Sequence, residues 1–131
     1  MTIDNQLYDR GGDIWWNEDE PLSMLRTMLN PVCLGFFRDQ LINSKRTGLT
    51  GRRVIDVGCG GGLLSEELAH LSLLATGVDP SQRSLVTARS HAAQSDLRIN
   101  YVAGVGELLL LASASHDIVI CCDVLEHVDS R

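Results

Sequence analysis

The sequence predicts an α/β fold: an open, mainly parallel sheet with flanking helices. Three observations carry this. From residue 54 onward, short apolar runs alternate with segments of helical period. A glycine loop, Gly58-Cys59-Gly60-Gly61-Gly62, closes the first run. Asp79 ends the second run, about 20 residues beyond the loop. Strands separated by crossover-length segments pair in parallel. Together these features make the sheet Rossmann-like, with its ligand edge at the carboxyl ends of the strands, where chain order reverses.

Residues 1–20 are polar and interrupted, with Gly11-Gly12 and the acidic run Asn17-Glu18-Asp19-Glu20 around Ile14-Trp15-Trp16. After Pro21, which suits a first helical turn, Leu22, Leu25, Met28 and Leu29 fall on one helical stripe. Asn30-Pro31 predicts a break, since the residue before proline is pushed out of the helical region. Val32 to Ile42 reads as a second amphipathic helix, apolar at 34, 36, 37, 41 and 42. A polar loop from Asn43 to Gly51 then divides an N-terminal helical segment, 1–50, from an α/β domain, 51–131.

Val54-Ile55-Asp56-Val57 is the first strand, followed by a helix over about residues 62–71 with Leu63, Leu64, Leu68 and Leu71 on one side. Leu73 to Val78 is the second strand. Ser81 is a suitable N-cap for a helix that buries Leu85, Val86 and Ala88. Ile99-Asn100-Tyr101-Val102 is the third strand. Ile118 to Cys122 is the fourth, apolar throughout as strands buried on both faces are. The Leu108-Leu109-Leu110-Leu111 run is assigned to the core, and Leu125-Glu126-His127-Val128 to the start of another helix.

Hydrophobic content of 44% and charged content of 21% are ordinary for a globular chain. A net charge of -6 with scattered basic residues argues against nucleic acid, which needs clustered Lys and Arg. Lys45-Arg46 and Arg52-Arg53 read as a solvated loop. The four cysteines, Cys33, Cys59, Cys121 and Cys122, lack C-x-x-C spacing and read as reduced, mostly buried thiols. The polar start carries no secretory pattern, and no run reaches the length of a membrane span. The expected location is the cytoplasm or the mitochondrial matrix side, with peripheral membrane contact left open.

Gly58-x-Gly60 directly after a first strand lets the backbone turn sharply and approach a ligand. A dinucleotide fingerprint needs Gly or Ala at 63, where the chain has Leu63, and no Gly-Lys-Ser/Thr closes the loop as in a P-loop. Asp79 can accept both hydrogen bonds of a ribose diol; the alternative is a charge at the following helix's N-terminus. Asp56 within the first strand either supports the loop or faces a ligand's amino group through water.

Val54-Ile55-Asp56-Val57-Gly58-Cys59-Gly60-Gly61-Gly62, Gly77-Val78-Asp79 and Asp117-Ile118-Val119-Ile120-Cys121-Cys122 together resemble the motifs of class I S-adenosylmethionine-dependent methyltransferases. Two further segments are similar to the ubiquinone-biosynthesis O-methyltransferase family. One is Trp15-Trp16 with Met28-Leu29-Asn30-Pro31-Val32-Cys33-Leu34; the other is Cys122-Asp123-Val124-Leu125-Glu126-His127-Val128. The resemblance implies S-adenosyl-L-methionine as cofactor, held through Asp56, Gly58, Gly60, Asp79, Glu107, Cys122 and Cys33. In it the glycine loop cradles the methionine part, Asp79 holds the ribose and Gly104-Val105-Gly106-Glu107 flanks the adenine. The family's arginine that reaches the cofactor carboxylate falls on Cys33, whose thiol makes no bidentate contact, so weaker affinity is implied. Family members continue with further strands and helices, which implies a partial class I methyltransferase fold, incomplete at the C-terminus.

Asp123, Glu126 and His127 are spaced to share one side of a helix start. The resemblance implies that they hold a divalent metal such as Mg²⁺; His127 with Glu126 as acid–base groups is the other reading, and capping of the helix a third. His70, His91 and His116 read as solvated. Trp15-Trp16 reads as a lid, as a surface for a lipid-tailed substrate, or as an anchor for an N-terminal helix. The implied acceptor is a lipid-tailed phenol or catechol, with other quinone-biosynthesis enzymes as partners in a complex. The alternatives are another small acceptor, or a non-catalytic cofactor-binding module.

Overall fold

The computed structural model describes residue 6 and residues 13–43, 48–109, 111–122, 124 and 125. Four strands form one sheet: β1 (Arg53–Val57), β2 (Leu74–Asp79), β3 (Asn100–Ala103) and β4 (Ile118–Cys121). Their order is β3-β2-β1-β4, and each neighbouring pair is parallel. The helices are α1 (Asp13–Trp16), α2 (Asn30–Asn43), α3 (Leu63–His70) and α4 (Gln82–Gln94). Helix α3 crosses from β1 to β2 and α4 from β2 to β3, while β4 returns to the other side of β1. That reversal beside β1 gives the switch point at which open α/β sheets bind ligands.

The sheet is held because β1 is buried from Val54 to Val57 and β2 from Ala75 to Val78. On one face Val54, Leu64, Leu68, Leu73, Ala75 and Ile120 form a core, with Leu34 and Phe37 of α2 packed against it. On another, Leu85, Ala88 and Ala92 of α4 pack with Cys59 and Tyr101. Val86 is 62% exposed, so α4 buries a narrower stripe than its apolar residues indicate. Ser81 caps α4 as expected, its side chain accepting the Ser84 N–H.

Two further sequence expectations do not hold. Asn30-Pro31 does not end a helix. A π-helical turn, Leu25–Leu29, runs straight into α2, and the Asn30 N–H donates to the Leu25 carbonyl. The wider turn delivers Pro31 into the first turn of α2, where its missing N–H costs little. Strand β4 is also less buried than a central strand, with Val119 65% exposed and Cys121 exposed. Among the described residues it pairs only with β1, so it forms an edge of the sheet.

Candidate ligand site at the glycine loop

Residues 58–62 join β1 to α3 at the carboxyl edge of the sheet. The Gly58 and Cys59 N–H groups both donate to the Val78 carbonyl, at 2.7 and 3.0 Å, tying the loop to the end of β2. Gly60 has φ +52, and a Cβ there would collide with the Trp15 ring. Gly62 has φ +87 and would strike the Tyr101 hydroxyl. At both positions the left-handed backbone and the close approach require glycine.

Asp79 lies where the sequence places it, at the end of β2. One carboxylate oxygen accepts the Gly60 N–H and the other the Ser81 N–H, each at 2.8 Å. It therefore braces both the glycine loop and the entry to α4. A carboxylate offers about four acceptor positions, so its role as a loop brace is compatible with accepting from a diol.

Asp56 is 2% exposed, in the strand beneath the loop rather than on an open surface. Ser65 Oγ donates to it at 2.6 Å, which links β1 to the first turn of α3. Burial raises its pKa to about 7 against the hydrogen bond from Ser65, with the Asp79 charge adding a smaller upward push. Burial also pushes the Cys59 thiol well up, with Asp56 and Asp79 adding to it.

The tryptophans meet the loop from the other side. Trp15 is 6% exposed, lies on Gly60 and Gly61, and donates its indole N–H to Ser84 Oγ at 3.1 Å. Trp16 donates to the Gly61 carbonyl at 3.0 Å and stacks on His91, ring centroids 3.4 Å apart. His91 Nδ1 is 2.8 Å from the buried Glu66 carboxylate. The two indoles thus anchor α1 to the loop, α3 and α4.

His91 is consequently not a solvated residue. His116 is not one either: Nδ1 is 2.8 Å from Ser115 Oγ, and Nε2 is 3.2 Å from Thr76 Oγ1. Sequence reasoning missed Glu66, Ser84 and His91 because each meets a partner distant in the chain, and no local spacing announces such contacts.

The remaining expected site residues divide into three groups. Cys122, just past β4, has its Sγ 2.9 Å from Cys33 Sγ on α2. Both thiols are half-buried, Cys59 is buried and Cys121 is exposed, so the expectation of mostly buried thiols holds only for Cys59; no disulfide joins any of the four. Glu107 is exposed in the loop after β3, whose Gly104 N–H donates to the Asp79 carbonyl at 3.1 Å. Leu109 and Leu111 pack on Ile55, Val57 and Val78, but Leu108 is 65% exposed, which corrects its assignment to the core. Asp123, Glu126 and His127, expected as metal ligands and as acid–base groups, lie outside the described residues. Arg52 bonds the Gly48 carbonyl, and Arg53 belongs to β1.

A shallow groove at the opposite, amino-terminal edge is lined by residues including Arg53, Thr76, Arg98 and His116. It contains none of the glycine-loop residues, so the two features are separate.

The pattern of the methyltransferase domain family matches residues 54–131, and the chain belongs to that family. It is 39% identical, across 92% of its length, to the ubiquinone biosynthesis O-methyltransferase of Azorhizobium caulinodans. It is 41% identical, across 98%, to the protein of that name from Coxiella burnetii. It spans 50% and 53% of those two relatives, about half of their length. In fold it is similar to magnesium protoporphyrin IX methyltransferase from Synechocystis PCC 6803, solved with bound SAM. That likeness has a TM-score of 0.70 and 24% identity, covering 88% of this chain and 55% of the other.

Proposed function

We propose that the chain is the S-adenosylmethionine-binding part of an O-methyltransferase that methylates a phenol or catechol hydroxyl on a polyprenylated quinone precursor. The observation that carries this reading is the glycine loop clamped to Asp79, in a chain about 40% identical to ubiquinone biosynthesis O-methyltransferases. The site suits the cofactor chemically. The glycine loop turns at the carboxyl end of β1 and the Asp79 carboxylate stands beside it at the switch point, the edge at which open α/β sheets bind ligands.

When bound, S-adenosylmethionine supplies an already activated methyl group. The chain's own task is then orientation, because an in-line displacement demands an aligned acceptor. Asp79 accepts from the ribose diol, Gly58 and Gly60 line the methionine part, and the Glu107 loop flanks the adenine. Asp56 acts beneath them, bracing the loop through Ser65. Cys33 and Cys122 border the same edge. Glu126 and His127 serve as acid–base groups for the acceptor hydroxyl, or with Asp123 as ligands for Mg²⁺. Residues 1–50 form the helical cover and 51–131 the cofactor domain. The lipid-tailed acceptor brings the protein to a membrane surface and to neighbouring quinone-biosynthesis enzymes, on the cytoplasmic or matrix side. No helix among the described residues is long and apolar enough to cross a membrane.

The test is transfer of a labelled methyl group to a prenylated catechol, with and without a chelator of divalent cations. The expected result is incorporation on the catechol oxygen, lost in Asp79→Ala; loss on chelation with recovery on added Mg²⁺ selects the metal role of Asp123, Glu126 and His127, and transfer unchanged by chelation selects the acid–base role. Incorporation on carbon or nitrogen acceptors instead contradicts the reading.

A further inference from the structure

We propose that Cys33 and Cys122 form a reversible thiol–disulfide lock that fastens helix α2 to the end of β4. Their sulfurs are 2.9 Å apart although 89 positions separate them in sequence. That spacing is contact between two thiols, longer than the covalent distance of about 2.05 Å, and a small approach of the two sulfurs would let the bond form. Neither cysteine owes its position to the other alone. Leu34 and Phe37 of α2, like Cys122 itself, pack against the core formed by Val54, Leu64, Leu68, Leu73, Ala75 and Ile120. The pair is therefore presented by packed backbone on both sides.

The remaining cysteines serve as internal controls. Cys59 is buried and its Sγ faces the Gly60 carbonyl, while Cys121 is exposed on the adjacent strand position. Cys121 and Cys122 point to opposite faces, as consecutive strand-end residues do. Both partners of the pair are only half-buried, so a small oxidant reaches them.

The chemistry balances with a hydroperoxide or a low-molecular-weight disulfide as oxidant. With hydrogen peroxide, one thiolate sulfur attacks oxygen to give a sulfenic acid and water. The second thiol then displaces a second water as the S–S bond forms. With glutathione disulfide, two exchanges release two glutathione thiols. The lock joins the helical cover to the strand end that borders the glycine loop, where Val124 packs on Gly58. Oxidation restrains the cover and slows ligand exchange at the loop. This last consequence rests on the cofactor reading above; the cross-link itself does not.

The experiment treats the full chain with hydrogen peroxide or glutathione disulfide, blocks residual thiols by alkylation and maps the tryptic peptides. The expected product links the peptide of residues 27–38 to that of residues 99–131 through Cys122, with Cys59 and Cys121 alkylated. The thermal midpoint rises on the order of 10 °C and returns on reduction, since the bond closes a long loop. Cys33→Ser and Cys122→Ser each abolish both effects. Release of S-adenosylhomocysteine is several-fold slower from the oxidised protein. An unlinked pair, a link through Cys121, or a midpoint unmoved by the Cys33–Cys122 link overturns the lock. If S-adenosylhomocysteine binds in neither state, the cofactor reading fails, while cross-link and melting still decide the lock. If it binds and leaves both forms equally fast, the restraint on exchange is overturned.

Discussion

Asp56 and Glu66 are both buried carboxyls, but their surroundings differ. Asp56 is raised to about 7 because burial outweighs the hydrogen bond from Ser65. A raised carboxyl binds more protons folded than unfolded, so its contribution to stability is present below the unfolded pKa and is lost as pH rises through the folded value. Between pH 4 and pH 7, the native chain should lose on the order of 4 kcal/mol from this group. Asp56→Asn keeps an acceptor for Ser65 and should flatten that part of the profile, measured by denaturant unfolding across pH. Unchanged pH dependence would contradict the assignment. Glu66 instead faces His91 at 2.8 Å. Removing His91 leaves a buried acceptor without that partner, so His91→Ala should cost about 2 kcal/mol, and adding Glu66→Gln should recover part of it. A double-mutant cycle reads this directly.

The elements were legible in proportion to how local their causes are. Strands β1 and β2 and helices α3 and α4 lie within a residue or two of the sequence expectation, because apolar period, glycine punctuation and the Ser81 cap are all local signals. Ser81→Ala should therefore destabilise by about 1 kcal/mol in thermal or denaturant unfolding, the usual cost of losing a cap. The segment before α2 departs from the expected break because proline's effect depends on what precedes it: a π-helical turn absorbs Pro31 without a break. The glycine loop and Asp79 were visible as motif. Their mutual clamp was not, and neither were the stack of Trp16 on His91 and the contact between Cys33 and Cys122, since these depend on tertiary approach.

At the scale of the molecule, β4 is the terminal strand of the sheet among the described residues, with Val119 65% and Leu125 75% exposed. Exposed edges template pairing with other chains. This chain should self-associate with rising concentration in sedimentation experiments, and Val119→Lys should reduce that association; equal behaviour of the two would argue that the edge is covered. The opposite face of the architecture is more complete. Helix α1, the glycine loop, α3 and α4 are joined through Trp15, Trp16, Ser84 and His91, so the ligand edge is organised around the loop. On the reading proposed above, this edge holds S-adenosylmethionine through the loop and Asp79. Calorimetric titration of the cofactor measures that binding. Saturable binding to the chain, weakened at least tenfold in Asp79→Ala while the fold persists by circular dichroism, is the predicted result. Absence of binding at millimolar cofactor, or equal affinity in the two proteins, would contradict the claim.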